Sequence, residues 1–477
     1  MAKAKATETT KTPKATKTTK VTKTTTKTQT KYAPKVGIVI PVYNTPIAYF
    51  RECVESALNQ DYKDLEILII HDGHYAPCVE VSLEYATKDP RVSVIVKPLN
   101  EGVSIARNIG IDYFSKTLSF KETQAQGGLS AFSIEGANPF GIGAVYKQTK
   151  ATKGGLIPSA IDYIYFLDSD DMCQSDLVSR CVQCASGNSL VWFNFNKMSN
   201  EGVLHLGEHI KDLEILDKER AITPDEWLKH SVDTGCGSAI FVWQVFIDFK
   251  FLQDIKLRFL NQVMREDNLF GMCLILQCKT MYMLPDKLIN YRVRTNGETN
   301  FASDSEQVFL PGFLRPLFEA LGGDLILTKH FYVAVSWFIQ KLYFLEFIKQ
   351  FNGKPNMEVI VSGMLNRFRE QTMQFVHLPT QLGPDYYFNI AFNVFLNILK
   401  AMPNDDPYYR PFDKLAEYIT QCDNTQQETI RLIKEVLVCE NEIIKGKNQI
   451  IMDLQKRLQE LEAQNVELKT AKAKKGQ

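Results

Sequence analysis

Short, continuous apolar runs alternate with amphipathic stretches from residue 36 onward. Runs of this length that are rich in Val and Ile are typical of strands buried on both faces. Thr45-Pro46 resembles a helix N-cap with a first-turn proline, which predicts a helix to about Asn59, and Val103–Phe114 also has a helical period. Strands separated by helices predict a parallel α/β sheet with helices on both faces. The four predicted strands are Val36–Val42, Leu65–Ile70, Val92–Val96 and Ile161–Leu167.

Polar residues collect where these predicted strands end. In open α/β sheets, ligands bind beyond the carboxyl ends of the strands. The polar positions there are Tyr43, Asn44, Asp72, Lys97, Asn100 and Asp168–Asp171.

Asp168, Asp170 and Asp171 place three carboxylates within four positions directly after an apolar run. Such a cluster requires a divalent metal, a basic ligand or a following helix N-terminus. Hard oxygen donors at an open strand end suit Mg²⁺ or Mn²⁺ shared with substrate phosphates. The cluster therefore points to phosphate-ester or nucleotide-sugar chemistry, with Asp171 as a third ligand or as the cap of the next turn.

Composition is uneven along the 477 residues, which are enough for two or three domains. The formal net charge is zero, yet residues 1–35 hold ten Lys and one acid, Glu8. We interpret residues 1–34 as a disordered Lys/Thr-rich tail, either simply solvated or attached electrostatically to an anionic membrane or nucleic acid. Ten scattered Cys and the lack of a secretory apolar region predict a cytoplasmic protein, peripheral at the inner membrane face if the tail binds there.

Three further regions complete the predicted organisation. Residues 115–160, rich in Gly, Ser, Thr and Lys, are interpreted as a partly disordered insertion. Residues 304–423 predict an α-helical region in which Phe331–Ile348 is a core helix, since it contains Gln340, Lys341 and Glu346. Residues 424–470 carry a heptad register that predicts a coiled coil and a homodimer; one helix packed on its own domain is the alternative. We interpret residues 471–477 as a basic, disordered end.

Six motifs, in order, resemble the donor half and acceptor-side motif of a family 2 glycosyltransferase of the GT-A fold, over roughly residues 35–303. They are Pro41-Val42-Tyr43-Asn44, Asp72-Gly73, Asn100-Glu101-Gly102 with Ala106-Arg107-Asn108, Leu167-Asp168-Ser169-Asp170-Asp171, Arg265-Glu266-Asp267 and Tyr291-Arg292-Val293-Arg294.

The resemblance implies a GT-A nucleotide-diphospho-sugar transferase sheet and an inverting hexosyltransferase that uses Mn²⁺ or Mg²⁺. Asp170, with Asp168, would hold the metal, and Asp267, supported by Glu266, would be the general base. Asp72 would bind uracil, which favours a UDP-sugar donor. The implied nucleotide-sugar set is Pro41, Tyr43, Asn44, Asp72, Asn100, Arg107, Asp168, Arg292 and Arg294.

Each assignment has a structural alternative. Asp72 could simply form an Asp-Gly turn, Tyr43 could pack, and Arg107 could be an exposed surface residue. At the level of function, the alternative is a coiled-coil scaffold with a catalytically inactive sugar-nucleotide domain. The acceptor is open among a glycan in polysaccharide biosynthesis, a lipid-linked oligosaccharide and a protein side chain.

Overall fold

The computed structural model describes residues 33–125, 127–148, 155–199, 202–204, 215–234, 242–293, 310–320 and 323–351. The predicted coiled coil, most of the predicted tail and the second half of the predicted helical region lie outside these residues. Arg294 also lies outside them, so its role stays a prediction.

The described residues form one mixed sheet of thirteen strands with helices on both faces. The main strand order is β11-β13-β9-β12-β7-β1-β2-β3-β6-β5-β4, while β10 pairs with β9 and β8 with β13. The strands are β1 (Val36–Val42), β2 (Leu65–His71), β3 (Val92–Val96), β4 (Phe120–Glu122), β5 (Ser130–Ile134), β6 (Ala144–Lys147), β7 (Tyr163–Phe166), β8 (Met172–Cys173), β9 (Leu190–Ser199), β10 (Gly202–Leu204), β11 (Arg220–Ile222), β12 (Val245–Asp248) and β13 (Met281–Arg292).

Helices pack against both faces of the sheet. Alternate residues of a strand point to opposite faces, and Ile38 and Val39 accordingly lie in two different core clusters. The helices are α1 (Ile47–Leu58), α2 (Ala76–Lys88), α3 (Val103–Ser115), α4 (Leu177–Ala185), α5 (Pro224–Thr234), α6 (Phe249–Asp254), α7 (Glu266–Gln277), α8 (Arg315–Ala320) and α9 (Leu325–Ile348).

The four strands predicted from the sequence form the parallel centre of the sheet. β1 pairs in parallel with β2 and with β7, and β2 pairs in parallel with β3. All seven residues of β1 are buried, which explains the continuous apolar run. The flanks differ from the prediction, because β6 and β12 pair antiparallel with β3 and β7 and make the sheet mixed.

The segment interpreted as an insertion extends the sheet. β4, β5 and β6 pair antiparallel in sequence, and β6 joins the group to β3. These strands were not predicted from the sequence. They have three to five residues each, and a run that short carries little periodic signal.

Helix α9 belongs to the core cluster that also contains α3 and α7. By length and composition, Phe331–Phe351 would suffice to cross a membrane, but 64% of its most apolar window is buried in the protein. A buried core helix meets the same criterion, so the observation is weak evidence for a membrane span. The packing agrees with the core helix predicted from the sequence.

Candidate active site

The acidic loop, residues 168–171, follows β7 at the carboxyl end of the parallel strands. Asp168 keeps 27% of its side chain exposed, and Asp170 is half-buried. The Thr45 and Ser169 hydroxyls lie 2.7 Å apart and join the end of β1 to this loop. That pair was not predicted from the sequence, since two small hydroxyl residues in loops give no distinguishing signal.

Asp171 supports the acidic loop from inside the protein. Its side chain is fully buried, and Oδ1 accepts a 2.8 Å hydrogen bond from the backbone N–H of Arg292 on β13. Burial and the neighbouring carboxylates of Asp170 and Asp168 raise the pKa of Asp171 well above its ordinary value. The cap interpretation is wrong, because the next helix begins only at Leu177.

Arg292 connects the acidic loop to α1. Its Nε donates to the backbone oxygen of Asp170 at 2.9 Å, and its Nη2 pairs with the carboxylate of Glu52. The guanidinium also lies 4.0 Å from the ring centroid of Tyr49. The observed contacts therefore position the acidic loop, and contact with a diphosphate stays a prediction.

Arg107 joins the acidic loop to α7. From α3, its Nη2 donates to Oδ1 of Asp168 at 2.8 Å, and its Nη1 pairs with Oε1 of Glu266. Arg107 is only 4% exposed, so the surface alternative is wrong. Burial alone would lower the pKa of Arg107, but the carboxylates of Asp168, Glu266 and Asp267 raise it, and the guanidinium stays charged.

Glu266 and Asp267 form the first turn of α7, and they have different surroundings. Glu266 is buried against Arg107, whereas Asp267 is half-buried and accepts from the N–H of Asn268 at 3.0 Å. Burial raises the pKa of Asp267, Arg107 opposes this, and Asp168 adds to it. A carboxylate with a raised pKa is a stronger base near neutral pH, which suits the predicted role.

Asp72 occupies a second, fully internal cluster at the ends of β2 and β3. Its Oδ1 accepts from Nζ of Lys97 at 2.9 Å, and its Oδ2 accepts from the N–H of Gly102 at 2.6 Å. The N–H of Glu101 lies 3.1 Å from both oxygens, and Lys97 also pairs with the Glu101 carboxylate at 2.8 Å. Asp72 therefore orders the loop before α3, beyond the simple turn considered above, and its contact with uracil stays a prediction.

Tyr43 and Asn100 lie beside this cluster. Burial raises the pKa of Tyr43 to about 12, and Asn100 forms a hydrogen bond with its hydroxyl that opposes the increase. Gly73 has φ +104°, and a Cβ there would lie 3.1 Å from Tyr43 Cε2 and 3.2 Å from Asn100 N. A side chain at Gly73 would thus be strained by the backbone conformation and would press on Tyr43 and Asn100. Glycine avoids both, so the ends of β1, β2 and β3 can lie close together.

Pro41 and Asn44 differ in position. Pro41 is buried within β1 opposite Ile70, and its contact with a nucleotide stays a prediction. Asn44 is exposed at the bend after β1 and has φ 47°, a left-handed conformation that Asn tolerates.

The residues predicted to hold a metal are compatible with an ion shared with substrate. Among the described residues, no group of three or more His, Cys, Asp or Glu has an arrangement that could hold a metal ion. Asp168 and Asp170 supply two partly exposed carboxylates on one loop. Mg²⁺ is commonly bound by one or two carboxylates together with substrate phosphates, and this donor set fits that pattern.

The predicted residues therefore meet in two groups. Lys97 was predicted at the strand ends, but its buried ion pairs with two acids were not. Lys is rarely buried unless it is paired, and only the fold shows that these acids lie beside it. Glu52 was not predicted, because the sequence of an amphipathic helix does not distinguish an acid that pairs with a distant Arg from one that is simply exposed to solvent. One group contains Tyr43, Asp72 and Asn100, and the other contains Arg107, Asp168, Glu266 and Asp267.

Comparison with known proteins indicates the same class of protein that the sequence motifs resemble, a glycosyltransferase. The family model described as Glycosyl transferase family 2 matches residues 37–117. The uncharacterized glycosyltransferase EpsJ of Bacillus subtilis is 26% identical over 269 residues, which are 56% of this chain and 63% of EpsJ. An uncharacterized glycosyltransferase of Haemophilus influenzae is 28% identical over 163 residues, or 34% of this chain and 47% of that protein. The chain thus spans less than two thirds of the length of these relatives.

Shorter and more distant similarities also occur. Chondroitin synthase of Pasteurella multocida is 40% identical over 80 residues, which are 17% of this chain and 8% of that protein. The crystal structure of S. aureus TarS 1–349 in complex with UDP-GlcNAc aligns with a TM-score of 0.39 and 15% identity, over 73% of this chain and 92% of that one. That score is too low to carry an argument about fold or ligand.

The mixed α/β sheet with flanking helices fits a GT-A fold. The six motifs lie in the order expected from the resemblance, and the described ones surround the carboxyl ends of the parallel strands. These observations and the matches above support a glycosyl transferase family 2 domain, whose family model matches residues 37–117, in a chain that is similar to proteins named as glycosyltransferases.

Proposed function

We propose that the protein is an inverting glycosyltransferase that moves a sugar from a nucleotide-diphosphate donor to a hydroxyl acceptor. The observation that carries the proposal is the bridge through Arg107, which joins Asp168 on the donor-side loop to Glu266, next to Asp267. One buried cation thereby holds the acids of both half-sites in a single network.

In the proposed reaction, Asp267 removes the proton of the acceptor hydroxyl as its oxygen attacks the anomeric carbon. The bond from that carbon to the diphosphate breaks, and the nucleoside diphosphate leaves from the opposite face. Burial favours proton uptake by raising the pKa of Asp267, while Arg107 limits the increase so that the residue still ionises. Glu266 neutralises Arg107 and keeps Asp267 available.

Asp168 and Asp170 would hold Mg²⁺ or Mn²⁺, which would stabilise the charge that develops on the departing diphosphate. Arg292 keeps the backbone of Asp170 in place, and Asp171 anchors the loop to β13. These contacts support the loop without requiring the ion.

The proposed donor class rests on the resemblance, and the proposed acceptor class rests on the names of relatives. We take a UDP-sugar as the first donor to test, because the resemblance assigns Asp72 to uracil. Relatives whose names are chondroitin synthase and hyaluronan synthase support a glycan acceptor in polysaccharide biosynthesis.

Among the described residues, no observation favours the inactive-scaffold alternative, and the coiled coil that it invokes lies outside them. A buried cation with several acids is costly, since apolar residues of similar volume often stabilise a fold as well or better. A domain without catalytic function has no need to keep Arg107, Asp168, Glu266 and Asp267 together.

A panel of nucleotide sugars with Mn²⁺ tests the proposal. Wild-type protein should hydrolyse or transfer at least one donor, and Asp267→Asn should abolish transfer while nucleotide binding persists. Asp254→Asn is the matched control, because Asp254 is exposed beside Lys250 on α6. Turnover by Asp267→Asn at the wild-type rate, or a lack of response to every donor, would contradict the proposal.

A further inference from the structure

Helix α9 binds both backbone polar groups of Met264, two residues before α7. Ser336 Oγ accepts from the N–H of Met264 at 2.9 Å, and Gln340 Nε2 donates to the Met264 carbonyl at 2.8 Å. Ser336 and Gln340 are four residues apart, so they share one face of the helix, and both are fully buried. One helix face therefore holds a single residue of the loop by both its donor and its acceptor.

The loop that α9 holds has an unusual backbone conformation. Gln262 has φ 54° and Arg265 has φ 60°, so residues on both sides of Met264 lie in the left-handed region. Residues other than Gly adopt this region uncommonly and keep it only where surrounding contacts maintain it. The hydrogen bonds to Ser336 and Gln340 supply such contacts.

The other end of the loop is held by α3, the helix that carries Arg107. Asn108 accepts from the N–H of Phe259 and donates to its carbonyl, both at 2.9 Å, and it also donates to Asn261 at 3.0 Å. The ring of Phe259 stacks on Phe270 of α7 at 3.9 Å. The approach to Asp267 is thus fixed from two sides.

Gln340 itself indicates that the contact is specific. Its Oε1 is buried and has no hydrogen-bond partner among the described residues. A buried acceptor without a partner costs stability that Leu or Met at this position would avoid. The Met264 carbonyl is the contact for which an amide is required there.

We propose that Ser336 and Gln340 are positioning residues for the transfer reaction. They fix the peptide at Met264 so that the first turn of α7 presents Asp267 to the acceptor hydroxyl while Glu266 meets Arg107. We call the two hydrogen bonds from Ser336 and Gln340 to Met264 the clamp. This inference rests on the proposed function, because the clamp is assigned the role of orienting the general base. It also gives α9 a role in the domain that its apolar composition alone does not suggest.

The test compares the full-length double variant Ser336→Ala/Gln340→Met with Thr328→Val. Thr328 is a matched control, since it is also fully buried on α9, and among the described residues its hydroxyl donates only to the carbonyl of Asp324. Hydrogen exchange of a peptide spanning residues 260–268 reports the clamp, and steady-state kinetics with a UDP-sugar and Mn²⁺ report catalysis. Both single variants are measured alongside, and they carry the test if the double variant does not fold.

We expect faster exchange in the 260–268 peptide and a fall in kcat of at least about tenfold, with donor KM and UDP affinity within about twofold of wild type. Thr328→Val should retain wild-type exchange and kcat. If Ser336 and Gln340 served only stability, their variants would have lower melting temperatures but would not show a fall in kcat at unchanged donor KM, and the inference would be wrong.

The inference is overturned if wild type is active and the Ser336 and Gln340 variants keep its kcat, or if residues 260–268 exchange as slowly as in wild type. Failure of the proposed function is a different result, in which wild type and Thr328→Val both lack transfer with every donor. The two failures are therefore distinguishable.

Discussion

Nη2 of Arg107 lies 2.8 Å from Oδ1 of Asp168, although the two residues are 61 positions apart in the chain. The same guanidinium pairs with Glu266, 159 positions from Arg107. Helix α3, the loop after β7 and the start of α7 therefore meet at one buried cation. In our account, this cation sets the geometry between donor-side and acceptor-side acids.

Replacing Arg107 with Met should leave the acids without their shared counter-charge. Removing one partner of a buried ion pair costs about 3–5 kcal/mol, and we expect the lower end because Asp168 remains 27% exposed. Urea unfolding measures this change, and transfer assays should show turnover reduced by roughly a hundredfold or more.

Arg258→Met is the control for this variant. Arg258 pairs with Asp112 at 2.8 Å near the other end of α3, and it is 21% exposed. Its loss should cost less stability and leave turnover close to wild type. Equal effects of the two variants on turnover would contradict a specific role for Arg107.

Stability should depend on pH through Asp267. Burial raises the pKa of this carboxyl above its ordinary 3.8, so the folded state favours the protonated form. Its contribution to stability is therefore complete below the unfolded pKa and is lost as pH rises through the folded pKa. Asp267→Asn should gain stability relative to wild type as the pH rises above 3.8, measured by urea unfolding at several pH values.

The same carboxyl should control the acid limb of the rate. kcat should rise with pH as Asp267 loses its proton, because only the carboxylate accepts the proton of the hydroxyl. A pH profile of kcat in wild type without an acid limb, or a gain in stability that does not change with pH, would contradict this assignment. Asp254→Asn again supplies the exposed control.

Lys97→Met should disturb the buried cluster of Asp72, Lys97 and Glu101. Lys97 has a fully buried side chain between the carboxylates of Asp72 and Glu101, so its removal leaves two acids facing each other. We expect a loss of about 3–5 kcal/mol in unfolding free energy and weaker UDP binding by calorimetry. Lys250→Met removes a pair with 80% of the Lys side chain exposed and should change both quantities little. Unchanged UDP affinity in a folded Lys97→Met protein would contradict a role for this cluster in donor binding.

Removal of divalent metal should stop transfer. EDTA should abolish turnover, and Mn²⁺ or Mg²⁺ in excess should restore it, because two carboxylates of the acidic loop suit such an ion. Asp170→Asn should weaken the affinity for the added metal and so raise the metal concentration needed for the half-maximal rate. Asp176→Asn, at the start of α4, is the nearby control. Full activity in EDTA would refute the assigned metal site.

The sequence predicted the parallel centre of the fold because its strands are continuous apolar runs. β1 and β3 have the predicted bounds, and α3 ends only one residue beyond its predicted limit. The short strands β4–β6 were not predicted, since they bury few residues and occur in a polar segment.

The site was predictable in its residue types but not in its pairings. Asp168, Asp170 and Asp267 stand in recognisable motifs, whereas the bridge through Arg107 depends on contacts between distant segments. The sequence predicts Asp171 as a third ligand or as a cap, because no local pattern indicates a backbone N–H donated by β13. Pairings of this kind arise from sheet order, which periodicity does not specify.

The anomeric configuration of the product tests the central claim most directly. An NMR assay with an α-linked UDP-sugar, Mn²⁺ and an acceptor glycan should show a β-linked product from wild type and from Asp254→Asn, with none from Asp267→Asn. An α-linked product, or a β-linked product formed by Asp267→Asn at the wild-type rate, would contradict direct displacement with Asp267 as the base.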